Sequence, residues 1–98
     1  MPRKQWPATI DEAVGVVIAA LSHEERASIA AMSKSDLIGQ HTGLRLWIRN
    51  NLGLWQDNAP LMEDARGRDP LIRHSDSLST MITEAVWNRL REMLPKVH

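Results

Sequence analysis

A chain of 98 residues, 43% of them hydrophobic, suits a single domain with one core. Its 12 Lys+Arg balance 12 Asp+Glu, and it contains no cysteine. That excludes a disulfide framework, a thiolate metal site and a thiol nucleophile, and it disfavours nucleic acid or anionic lipid as a partner.

The N-terminal stretch MPRKQWPATIDEA carries Arg3 and Lys4, but Asp11 and Glu12 interrupt before the apolar run, unlike the order in a signal peptide. The longest uncharged run, Ala13 to His23, is too short to span a bilayer. The chain therefore reads as soluble and cytoplasmic, with no membrane contact.

Thr9 stands three residues before Glu12, the spacing of a capping box, and opens a first helix. Ile10, Val14, Val17, Ile18 and Leu21 follow at helical spacing. Val16 lies off that face, which predicts a helix buried on more than one side. Ser22 and Glu25 repeat the capping pattern and predict a second helix over about 23–32, with Arg26, Ile29, Ala30 and Met32 on its face. Ser33-Lys34-Ser35-Asp36 marks a third start. The third helix is expected over about 36–51, with Leu37, His41, Leu44, Ile48 and Leu52 on one stripe. Gly39 and Gly43, four apart, predict a close helix approach within the monomer; a dimer seam is the alternative.

Residues 53–76 hold two prolines, two glycines and many charges, and predict a long loop with at most one short helix, around 59–65. The last helix is expected from near Ser77 to just before Pro95. Its apolar face comprises Leu78, Met81, Ile82, Ala85, Val86, Leu90, Met93 and Leu94. The fold class is all-α: a small irregular or orthogonal bundle of four to five helices with one long loop, in a single domain with an N-terminal arm at 1–8.

The most distinctive stretch is LRLWIRNNLGLW, residues 44–55. Arg45 and Arg49 are four apart near a helix C-terminus, where cations are favoured. Asn50 and Asn51 suit a helix exit because Asn tolerates left-handed geometry, and Gly53 suits the position just past the end. Leu54 is then expected to close back onto Ile48. Trp47 falls beside the apolar stripe and Trp55 folds back after the turn.

The pattern W-I-R-N-N-x-G-L-W, preceded by a Leu-Ile…His-x-Gly-Leu run, resembles a family of small uncharacterised bacterial helical domains. Two further blocks carry the likeness: Asn58 to Leu61 (N-x-x-L), and His74, Asp76 and Ser79 (H-x-D-x-x-S). Here "RHSDSLS" departs from an expected "HHPDDMS". The resemblance covers most of residues 8–85. It implies a helical domain with characteristic residues and no activity.

Two readings compete at each polar cluster. Arg49, Asn50 and Asn51 form either a recognition patch flanked by tryptophans or a helix end tied to the loop backbone, and the second is favoured. His74, Asp76, Ser77 and Ser79 resemble acid–base material, but Asp76 or Ser77 as a helix cap is the simpler reading. His41 reads as a half-buried histidine with one hydrogen bond; no spacing supports a metal site, and no cofactor is expected. Trp6 is placed to clamp the N-terminal arm, and Trp87 to pack at the edge of the last helix.

The sequence thus predicts a non-enzymatic protein- or peptide-interaction domain, with self-association as one mode. Its binding residues would be Arg45, Trp47, Arg49, Asn50, Asn51, Trp55, His74 and Asp76, aided by the loop acids Asp57, Glu63, Asp64 and Asp69. The first rival is a hydrolase-like or metal-dependent enzyme using His41, His74 and Asp76. The second is nucleic-acid binding through the third helix.

Overall fold

The first helix, α1 (Ile10–Ala20), begins where the Thr9 hydroxyl accepts the Glu12 amide at 3.1 Å. The Glu12 carboxylate reaches back to the Ala8 amide at 3.1 Å, one residue before the cap. α2 (His23–Ala31) starts with a complete capping box between Ser22 and Glu25. Arg26 then donates its Nε to the Ile18 carbonyl at 3.0 Å, so α2 closes the C-terminal end of α1. These caps satisfy amides and carbonyls that a helix leaves orphaned at its ends.

The chain continues through α3 (Lys34–Gln40), α4 (Thr42–Asn51), α5 (Ala59–Arg68) and α6 (Ser75–Met93). The computed structural model describes residues 6–40, 42–54, 58–72 and 74–93. His41, Trp55, Asp57 and Leu94, all singled out in the sequence, lie outside the described residues. Among the described residues there are six helices and no strand, an all-α small bundle.

α6 is the hub: it packs against α1, α2, α3, α4 and α5. Its buried stripe is Leu78, Ile82, Val86 and Leu90, widened by Ser79, Thr83 and Trp87. The two small hydroxyls are tolerated there because each bonds within its own helix. Ser79 donates to the Asp76 carbonyl at 2.9 Å, and Thr83 to the Ser79 carbonyl at 2.8 Å. Against this stripe sit Ile10, Val14 and Val17 of α1, Ile29 of α2, Leu37 of α3, and Leu44 and Ile48 of α4. The molecule is 21 Å through its thinnest direction, about two helix diameters, so every outer helix keeps a solvent face.

The helix expected over 36–51 is seen as the helical spans Lys34–Gln40 and Thr42–Asn51, and His41 between them lies outside the described residues. Other expectations are corrected. The segment read as a loop holds a ten-residue helix, α5, that runs three residues beyond the expected 59–65. Asn58 caps it, Pro60 fits its first turn, and Leu61 and Ala65 are buried. Val16 is 43% exposed, so α1 buries one face only. Gly39 and Gly43 are exposed, and nothing lies within 4 Å of a Cβ built on either. Among the described residues no helix approaches closely at either glycine. Met93, expected on the apolar face of α6, is 57% exposed.

Gly53 follows the expectation and adds to it. Its φ is +77°, the left-handed residue just past α4. Asn50 and Asn51 remain inside α4 and carry no left-handed turn. A Cβ on Gly53 would lie 2.3 Å from the Trp6 ring, so Trp6 stacks directly on the bare glycine and clamps the N-terminal arm.

Candidate functional site

At 100° per residue, α4 presents three sides. Leu44, Ile48 and Leu52 face the core. Arg45 and Arg49 fall on one flank, Gly43 and Trp47 on the other. Each flank borders a depression.

On the arginine side, α4, α6 and the α5–α6 connection enclose a cleft of about 640 Å³. Arg45 and Arg49 supply its cations; Asp69, Asp76 and Glu84 supply three carboxylates. Ser77, Thr80 and Met81 come from the exposed turns of α6. Arg49 donates from Nη1 to Asp76 Oδ1. The pair joins the last turn of α4 to the first turn of α6, and each charge sits at the helix end whose dipole favours it. The Asp76 side chain is 80% exposed, whereas that of Arg49 is 19% exposed. At the other end, Lys34 Nζ lies 3.7 Å from Glu84 Oε1, a solvent-facing contact. The order of these two pairs runs α3–α4 past α6 in opposite senses. Arg45, one turn before Arg49, therefore lies between them. Its Nε is enclosed and has no hydrogen-bond partner among the described residues.

On the tryptophan side, a groove of about 370 Å³ is lined by Val17, Leu21, Ile29, Leu44 and Trp47. Trp47 is half-buried against the core, across α4 from the arginines.

The structure thus brings together three of the residues proposed from sequence: Arg45, Arg49 and Asp76. It does not bring Trp47 to them. Asn50 is exposed. Asn51 donates its Nδ2 to the Trp47 carbonyl at 2.8 Å, within its own helix and not to the loop backbone. Arg49 reaches the Asp76 carboxylate, a partner the sequence did not suggest. Neither Asp76 nor Ser77 caps α6; both lie inside its first turn, and the His74 carbonyl accepts the Leu78 amide. His74 is exposed and does not line the cleft. Ser79 is buried with its hydroxyl turned to its own helix, so it is not offered to the imidazole. Among the described residues no group of three His, Cys, Asp or Glu could hold a metal ion. No described helix is long and apolar enough to cross a membrane.

A backbone tie of the kind expected of Asn50 or Asn51 is made by Asn58 as well. Buried beneath the arm, it donates Nδ2 to the Pro7 and Leu52 carbonyls, both at 2.9 Å, and accepts the Leu61 amide at 3.4 Å. Asn58 followed two residues later by Pro60 is an N-cap signature, so the cap was open to sequence reasoning. The two carbonyls, 51 and 6 residues away, were not. Asp64 was read as a loop acid. It accepts the Ile10 amide at 2.8 Å and so caps α1 from α5. Trp87 donates Nε1 to the Met32 carbonyl at 2.9 Å and carries Arg91 over its ring at 4.6 Å.

No curated protein and no solved structure gives a significant match to this chain. A family model described as "Domain of unknown function (DUF6794)" matches residues 6–90. That span takes in the arm at Trp6, both flanks of α4, the Asn58 tie and α6 to Leu90, and by it the chain belongs to the DUF6794 family.

Proposed function

We propose that the domain is a non-enzymatic binding module that receives a carboxylate-bearing segment of a peptide or protein in the Arg45–Arg49 cleft. The observation that carries this reading is that Arg45 lines the cleft with no carboxylate partner among the described residues. A guanidinium without a counter-charge keeps its outer N–H groups available to a ligand carboxylate. Arginine matches carboxylate geometry better than any other side chain. The cleft's volume falls in the range of ordinary ligand sites. With no disulfide to form, the chain needs no oxidising compartment, and the cytoplasm is the proposed setting.

The test is selection from a pool of synthetic peptides with free C-termini. The pool is incubated with the wild type and with Arg45→Gln, and retained peptides are identified by mass spectrometry. Peptides retained by the wild type and lost by the variant are expected. Equal retention by both proteins, or none by either, refutes the reading.

A further inference from the structure

Within the cleft, Arg49 and Asp76 neutralise each other. Arg45 is left as the cation, with Asp69 and Glu84 as carboxylates. One Asp69 oxygen already accepts the Leu71 amide at 3.0 Å. Among the described residues Glu84 is held by the long contact to Lys34, whose side chain is 62% exposed. The remaining charges are therefore of both signs and separated along α6. Arg45 lies level with the turn containing Ser77 and Thr80, and Glu84 is the next turn on. Four residues of helix from Thr80 to Glu84 rise about 6 Å. Met81 lies on the same side, an apolar strip between the two charges.

A single residue carries that charge pattern: one with a free α-carboxylate and a basic side chain. We infer that the cleft takes a peptide chain end whose last residue is lysine or arginine, its carboxylate on Arg45 and its cation on Glu84. This rests on the carboxylate-binding reading above and deepens it. A lysine stem reaches about the 6 Å that four residues of helix rise and would lie along Met81, as long basic side chains do on apolar surface. The Ser77 and Thr80 hydroxyls serve the last peptide group. Asp69 and Glu84 outnumber Arg45 and leave the lining negative, which turns away a chain end with an acidic last residue.

The test uses the full chain and four N-acetylated tripeptides, followed by ¹⁵N NMR including the Arg Nε–H signals. Three have free carboxylates and end in lysine, norleucine or glutamate; the fourth ends in lysine amide. The lysine acid is expected to bind about tenfold tighter than the norleucine acid and the lysine amide, with the glutamate acid weakest. Glu84→Gln should bring the lysine acid down to the norleucine level and leave norleucine unchanged. Equal affinity for lysine and norleucine acids in the wild type overturns the inference while carboxylate binding stands. Equal affinity for lysine acid and amide overturns the chain-end assignment. If no acid moves the Arg45 signal, both readings fall. The wild-type comparisons decide the matter even if Glu84→Gln does not fold.

Discussion

Replacing Asn58 distinguishes two roles for one side chain. As a helix cap, its Oδ1 accepts the Leu61 amide at 3.4 Å, a long contact. As a tie, its Nδ2 holds the carbonyls of Pro7 and Leu52 at 2.9 Å each. Asn58→Ala removes all three bonds. Two well-formed buried hydrogen bonds contribute about 1 kcal/mol each, and the cap about 1 more. Two carbonyls left unpaired beneath the arm push the loss toward about 4 kcal/mol, a large part of the ~5–15 kcal/mol expected for a domain of this size. In urea the midpoint should fall by about 2 M with the slope unchanged. Asn58→Asp is the sharper variant. Aspartate caps helices as well as asparagine does, so a capping role predicts near-wild-type stability. It has no N–H to donate and would set a carboxylate against two carbonyls, so the tie predicts a loss at least as large as that of alanine. An Asn58→Asp protein as stable as the wild type would refute the tie.

Other substitutions test neighbouring contacts. Gly53→Ala meets both a left-handed φ and the Trp6 ring, and should cost more than about 2 kcal/mol. In a Trp6→Ala background it should cost only about 1 kcal/mol, and additive losses in urea would deny the stacking. Trp87→Phe keeps the packing but strands the Met32 carbonyl, so thermal unfolding should show a loss of about 1–2 kcal/mol; an unchanged midpoint would mean water replaces the indole. Arg49→Ala and Asp76→Ala differ in burial at the same ion pair. Asp76→Ala should cost no more than about 1 kcal/mol and Arg49→Ala more, through its packed stem; the reverse order in urea would contradict the geometry. Val16→Lys should change stability by less than about 0.5 kcal/mol, since the side chain already faces water.

What the sequence determined by itself was local. Thr9, Ser22 and Ser33 each accept the amide three residues on, because capping depends on spacing and backbone alone. Of the expected stripe Leu37, His41, Leu44, Ile48 and Leu52, the four described residues, all but His41, are buried, because helical periodicity decides which residues share a side. Gly53 was legible as a left-handed exit for the same reason. The partner that lies on it was not.

Tertiary structure decided everything that depends on which helices meet. Val16 and Met93 are exposed, and no period of one helix records where its neighbours lie. Gly39 and Gly43 look like a packing notch in sequence, yet face open space. The Asn58 tie, the Asp64 cap on Ile10 and the Trp87 bond to Met32 join groups at least 51 residues apart, apart from the Leu52 carbonyl. Such bonds exist only once the core has brought the chain ends of several helices together. The candidate site has the same origin. Arg45 and Arg49 mark one flank of a helix in any reading of the sequence, but α6 supplies the acids opposite them. A cleft is a property of two surfaces, and one stretch of chain specifies only one of them.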